Sequence, residues 1–310
     1  MNMLSYLGLG QRKKRWRHKP KDAPWFDRPD APGLLEKRRR EERLSDDDYA
    51  LLQRWVTDGY CAVSGVVPEP QIDSMMRDMD GIWTAPEPVP GLQIVDPRID
   101  SEAPLNLTHA EVLALESARR FEIRDTSHWR VHGFYLHSEN ARAVFDNPEL
   151  IRLTSLILGR QAEPRFTINF MYGSEQALHQ DTAVFHVAPK NYLVGAWLAC
   201  EDVAPDAGPL VFYPGSHREP LYAGFDNYPQ TNLRTTAKPQ EYSEHVARCS
   251  EQYERRLYLA KKGEVFLWHG MLIHGGSAVA DPKRTRRSYV CHYIPGDMEV
   301  SSEIDGPFNW

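Results

Sequence analysis

From Arg165 onward the chain reads as a series of short apolar runs: RFTINFMYG, LHQDTAVFHV, YLVGAWLACEDV, GPLVFYPGS, GEVFLWHG, LIHGGSAV and RRSYVCHYIP, punctuated by Gly, Pro and Asn. Runs this short, rich in β-branched and aromatic residues, read as strands. No helical pattern of the length a βαβ crossover needs recurs between them, so an antiparallel sandwich or barrel is expected in place of a parallel sheet. The second half, residues 161–295, is therefore predicted to be a jelly roll. Residues 218–258 interrupt the pattern with a charged, tyrosine-rich segment longer than a plain connection needs, which makes it a candidate lid.

The preceding stretch, 45–160, is predicted to be mostly helical. SDDDYALLQRWVTDGY has a capping serine, acids in the first turn, apolar residues at helical spacing and a glycine stop. CAVSGVV reads as a short strand, PEPQIDSMMRDMDGIW as a helix opening on proline, and NPELIRLTSLILG as a helix from Asn147 to Gly159. Residues 45–310 are thus expected to form one domain. Residues 1–44 form a basic N-terminal extension whose clusters, RKKRWRHK and EKRRREER, flank KPKDAPWFDRPDAPG. Trp16 and Trp25 could anchor such an arm to an anionic surface. Acidic residues interleave the second cluster, which favours an arm packed on the core or on a second subunit.

The formal net charge of −6 over 310 residues argues against a nucleic-acid binder driven by basicity. Cys61, Cys200, Cys249 and Cys291 contain no Cys-x-x-Cys pair and read as reduced, buried thiols. No run approaches the roughly 20 apolar residues of a membrane span. A cytoplasmic, soluble protein acting on a small molecule is expected, with its oligomeric state open.

The chemistry starts at His179-Gln180-Asp181. On a strand, residues two apart share a face, so His179 and Asp181 would supply two corners of a metal site. A two-histidine, one-carboxylate site for Fe(II) needs a second histidine from a facing strand. His186, His217, His245, His269, His274 and His292 are the candidates downstream. His269 and His274 lie an odd number of positions apart and cannot share a face of one unbroken strand. A turn at Gly270 would make His274 an interior residue of a new strand, flanked by Gly275 and Gly276 for close approach of backbone or cosubstrate. A dicarboxylate cosubstrate calls for a planar cation at its far end, and Arg284, Arg286 and Arg287 are in reach. Arg286 with Ser288, two positions on, suits that clamp best.

HQD at 179–181, Trp197 in GAWLACEDV, GPLVFYPGSH at 208–217 and the HGG…RR…CHY block at 274–293 together resemble the phytanoyl-coenzyme A dioxygenase family. DGYCAVSGVVPEP resembles the family's opening, so the likeness covers about residues 45–295. The resemblance implies a cupin-like double-stranded β-helix that uses Fe(II), 2-oxoglutarate and O2. It implies His179, Asp181 and His274 as iron ligands and Arg286 on the distal carboxylate of 2-oxoglutarate. Gln180 and Trp197 match positions bordering the cosubstrate pocket. Arg130 in HWRVHGF resembles an upstream basic position, and Asn169 falls on the strand before the ligand pair. The spacing from His274 to the arginine is one residue longer than the family's, so the choice of Arg286 rests on the CHY that follows. Asp181, retained where halogenating relatives carry a small residue, implies hydroxylation or another oxidation.

The expected activity is a dioxygenase that hydroxylates a small-molecule metabolite and releases succinate and CO2. The alternatives are a jelly-roll protein that binds a metal or ligand without turnover, and a zinc hydrolase, which would leave the arginine block without a role. His186 is expected at the pocket rim or in packing, His217 as a turn brace, and His269 and His292 as structural residues.

Overall fold

The ends of the Asp46–Asp58 helix follow from its sequence: the Ser45 hydroxyl accepts from the Asp48 N–H, and Gly59 closes the last turn at φ 76°. Asn147 caps Pro148–Leu158 in the same way, and Gly159 ends it. Both belong to a computed structural model that describes residues 23–97, 106–185, 187 and 189–298. The apolar stripes of these helices and of Glu69–Gly81, among them Leu52, Trp55, Ile72, Met75, Leu153 and Ile157, are buried. They form one cluster with Val265, Leu267, Ala196, Leu198, Tyr289 and Cys291 and so cover one face of the main sheet.

The strands are β1 (Tyr60–Val63), β2 (Gln93–Val95), β3 (Asn106–Thr108), β4 (Arg130–His132), β5 (Ala162–Phe170), β6 (Val194–Ala199), β7 (Leu210–Phe212), β8 (Arg256–Tyr258), β9 (Val265–His269), β10 (His274–Gly276) and β11 (Ser288–Pro295). Their main sheet runs β1-β9-β6-β11-β5-β4-β2-β3 and the smaller one β10-β7-β8. Every paired neighbour is antiparallel. Ile168, Phe170, Trp197, Phe266, Trp268 and Val290 face the second sheet and pack with Leu210 and Phe212 in a second cluster. This is the expected cupin-like jelly roll with helices outside it, and alternation along each strand separates its two apolar faces.

Two local expectations need correction, and the described part of the arm packs on the core as expected. LHQDTAVFHV is not a strand: His179 makes one isolated bridge, and the chain then turns into the short helix Thr182–Phe185. Its residues are apolar because all four are buried. The stretch expected to be helical also supplies β2, β3 and β4, each three residues long and too short for alternation to register. The described part of the basic arm is a turn at Trp25–Asp27 followed by the helix Ala31–Glu41, with Phe26 and Leu35 buried and the Trp25 indole donating to the Ile157 carbonyl at 2.7 Å. Lys37, Arg38 and Arg39 pair with Glu41, Glu42 and Asp46. The RKKRWRHK cluster with Trp16, and His186, lie outside the described residues.

The 218–258 segment contains the helix Pro239–Ser250 and packs Phe225, Tyr242 and Val246 against Val211, Tyr213 and Ile273. It is fastened to Gln180 and Val187: the Tyr242 hydroxyl accepts from the Gln180 N–H at 2.9 Å, and the Tyr228 hydroxyl donates to the Val187 carbonyl at 2.8 Å. All four cysteines are buried and free. Among the described residues no helix is long and apolar enough to cross a membrane.

Candidate metal centre

The chain leaves the main sheet at His269, turns through residues 270–273 and enters the smaller sheet at His274. There the backbones of His274 and His179 hydrogen-bond to each other in both directions, at 2.9 and 3.1 Å. The bridge sets the two imidazoles side by side, ring centres 4.3 Å apart. Asp181 Oδ1 lies 3.3 Å from His179 Nε2 and 3.7 Å from His274 Nε2. Among the described residues His179, Asp181 and His274 form a buried group whose potential ligand atoms all lie within 4.8 Å of one another.

Both histidines have a fixed tautomer. His179 Nδ1 is 2.8 Å from the Ala177 carbonyl and His274 Nδ1 is 3.0 Å from the Leu272 carbonyl. A carbonyl only accepts, so each Nδ1 carries the proton and each Nε2 presents a lone pair toward Asp181. Burial, together with the neighbouring His179, pushes His274 down to about 4, which keeps it neutral at ordinary pH.

The other Asp181 oxygen is taken by protein. Oδ2 accepts from Trp268 Nε1 at 2.8 Å and lies 2.9 Å from His292 Nε2, which must be the donor. Burial alone would raise this carboxyl, but the His292 imidazole beside Oδ2 holds it well below the usual carboxylate range. Oδ1 is thus an ionised ligand atom. Two imidazole nitrogens and one carboxylate oxygen fit Fe(II).

A cavity opens from this group, walled by Phe170, Phe185, Trp197, Trp268 and Val290, with Arg286 in its lining. Arg286 is buried, donates to the Gly208 carbonyl at 2.8 Å, and stands about 6.0 Å from the ring centres of Phe170 and Trp197. Burial lowers its guanidinium to about 10, so it stays charged near neutrality. Arg284 and Arg287 instead pair with Asp206 and Asp80. Arg286 Nε, Ser288 Oγ and Trp197 Nε1 are buried without a hydrogen-bond partner. Orphaned donors of this kind are costly, and a carboxylate-bearing cosubstrate would satisfy them.

The remaining sequence candidates divide by face. Ser288 shares the cavity-facing side of β11 with Val290 and His292, as alternation requires. Arg130 lies opposite Phe170 in register, its guanidinium 5.7 Å from that ring, but it pairs with Asp96 at 2.5 Å and is not among the residues that line the cavity. Asn169 faces the helices, where its amide reaches Met75 Sδ at 3.5 Å. The Gln180 amide donates to the Met271 carbonyl at 3.2 Å, also away from the cavity. His217 is buried beside His269, ring centres 5.3 Å apart. None of the cavity-lining residues belongs to 218–258.

Gly275 and Gly276 accommodate backbone: a Cβ on Gly275 would sit 2.7 Å from the Gln176 carbonyl oxygen, and one on Gly276 2.9 Å from the Glu175 nitrogen. Sequence reasoning missed Trp268 and gave His292 only a packing role. Parity offered a signal, since His292 shares the face of Ser288 and Val290. Nothing local marked Trp268, because its partner is distant in sequence.

A buried His-Asp-His group between the sheets of a jelly roll, with a buried arginine in the adjoining cavity, is an arrangement able to hold a divalent metal and an anionic ligand side by side. The Phytanoyl-CoA dioxygenase (PhyH) family profile matches residues 55–288, and the chain belongs to that family. It is 29% identical over 141 residues to phytanoyl-CoA dioxygenase domain-containing protein 1 of Danio rerio, covering 44% of each chain. It is 32% identical over 139 residues to the peroxisomal phytanoyl-CoA dioxygenase of Bos taurus, covering 42% of this chain and 38% of the relative. These matches span less than half the length of either relative. Among solved structures the fold is similar to the α-ketoglutarate-dependent epimerase SnoN of nogalamycin biosynthesis, at TM-score 0.56 and 16% identity over 90% of this chain and 92% of that one. It is also similar to EctD from S. alaskensis with 2-oxoglutarate and 5-hydroxyectoine, at TM-score 0.57 and 16% identity over 97% and 91%.

Proposed function

We propose that this oxygenase hydroxylates an unactivated C–H bond of a small-molecule metabolite, with Fe(II) as its metal, 2-oxoglutarate as cosubstrate and O2 as oxidant. The observation that carries the reading is the convergence of two neutral imidazole Nε2 atoms and one carboxylate oxygen beside a cavity lined by a buried arginine. His179, Asp181 and His274 would hold the iron, and Arg286, Ser288 and Trp197 would meet 2-oxoglutarate. Together the metal and cosubstrate supply the oxidative decarboxylation to succinate and CO2, and with it the power to take hydrogen from carbon.

The chain's own residues orient and shield. Carbonyls 177 and 272 fix the lone pairs of the two histidines, and Arg286 sets the direction of an anionic cosubstrate along the cavity. Phe170, Phe185 and Trp268 keep the reacting region apolar. The 218–258 segment is proposed as the cover of this site, supported by the Tyr228 and Tyr242 hydroxyls that tie it to Val187 and Gln180. A cytoplasmic setting is supported by four buried, free cysteines.

The test is succinate formation by purified protein given Fe(II), 2-oxoglutarate, O2 and a panel of small metabolites. Succinate stimulated by one metabolite, with a product heavier by one oxygen, supports hydroxylation. Iron binding without succinate from any condition would leave only the binding-protein reading.

A further inference from the structure

Gly195, the second residue of β6, pairs in register with Trp268 on one side and His292 on the other. All three point into the jelly roll, so the absent side chain of Gly195 leaves a gap between two large rings. The Trp268 indole lies across that gap: a Cβ on Gly195 would fall 2.1 Å from Trp268 Cε2, where no real Cβ can sit. By crossing β6, the indole N–H reaches Asp181 Oδ2, the oxygen that His292 Nε2 also holds. His292 is braced in turn by Phe185, ring centres 4.0 Å apart.

We propose that Trp268 and His292 form a positioning clamp, made possible by Gly195, that commits Asp181 to the metal through Oδ1 alone. This rests on the iron reading above. A free carboxylate can bind a metal through one oxygen or two, and the second mode would use a coordination position that cosubstrate or O2 needs. Two donors on Oδ2 remove that option, because that oxygen is already satisfied while Oδ1 is the one placed beside His179 and His274. Neither clamp residue belongs to the His-Asp-His ligand group, although both side chains line the cavity. They act through the orientation of Asp181.

The experiment compares wild type with His292→Phe, His292→Gln, Trp268→Phe and Gly195→Ala, using anaerobic Fe(II) titration and the visible absorption of the Fe(II)–2-oxoglutarate complex. Folding of each variant is checked by circular dichroism. His292→Phe and Trp268→Phe are expected to weaken Fe(II) binding by roughly 10- to 100-fold, the usual effect of losing a partner of a metal ligand. They should also move the absorption band, while His292→Gln, which restores a donor, returns both toward wild type. Gly195→Ala, which drives the indole off Oδ2, should behave like Trp268→Phe. Folded His292→Phe and Trp268→Phe proteins with wild-type affinity and an unmoved band would overturn the clamp. If His292→Phe does not fold, Trp268→Phe alone decides, by the same two readouts. Absence of any band in the wild type would instead overturn the iron reading itself, so the two failures are distinguishable.

Discussion

His269 and His274, five positions apart, carry opposite tautomers. His269 Nδ1 accepts the Met271 N–H at 2.9 Å, so its Nε2 carries the proton and lies 3.1 Å from Asp27 Oδ1. His274 is protonated at Nδ1 and leaves Nε2 for a metal. The backbone between them decides this, by moving the chain from one sheet to the other.

Substitution should separate the two histidines. His274→Ala is expected to abolish Fe(II) binding, measured by anaerobic titration. His269→Ala is expected to retain most of it while losing about 1–3 kcal/mol of stability, since it leaves the half-buried Asp27 carboxylate and a backbone N–H without their partner. Denaturant unfolding beside the titration checks both halves.

Arg286→Lys keeps a charge but loses the planar fork, and Arg286→Gln loses both. A charge-assisted hydrogen bond is worth about 1.5–3 kcal/mol, so KM for 2-oxoglutarate should rise roughly 10- to 150-fold in the glutamine variant. The lysine variant should fall between it and wild type. Fe(II) affinity in the absence of 2-oxoglutarate should stay near wild type in both.

Much of this was legible in the sequence, and where legibility ended has a physical cause. Ser45, Gly59, Asn147 and Gly159 mark helix ends because caps are local interactions. His179, Asp181, His274 and Arg286 stood out because a metal and a dicarboxylate demand particular side chains. The placement of Thr182–Phe185 did not, since a buried single turn and a buried strand are both simply apolar. Asn169 and Gln180 were drawn toward the site by their neighbours in sequence, yet their side chains face away, toward Met75 and the Met271 carbonyl. Trp268 was hidden because its partner Asp181 is brought to it by tertiary structure alone.

Acidification should destabilise the fold well above the carboxylate range. Burial, aided by nearby cationic groups, pushes both His132 and His217 from 6.5 down to about 3. In the folded protein they stay neutral, whereas the unfolded chain takes up their protons below about 6.5. Stability is therefore lost as pH falls from about 6.5 toward 3, by about 1.4 kcal/mol per pH unit for each histidine. Denaturant midpoints between pH 7 and 4.5 test this, and His217→Gln should flatten the slope.

Gly275→Ala places a methyl group against the Gln176 carbonyl, backbone against backbone with no flexible side chain to yield. A cost of about 1–3 kcal/mol is expected. Because residues 176–177 lead into His179, Fe(II) affinity should fall as well. A variant as stable as wild type would show that this strand pair tolerates separation.

The most direct measurement is anaerobic addition of Fe(II) and then 2-oxoglutarate to the purified protein, followed by visible absorption. A charge-transfer band that saturates at one equivalent of iron, and is absent in Asp181→Ala and His274→Ala, is the predicted result. A wild-type protein that develops no band, or variants that keep it in full, would contradict the assignment of this site.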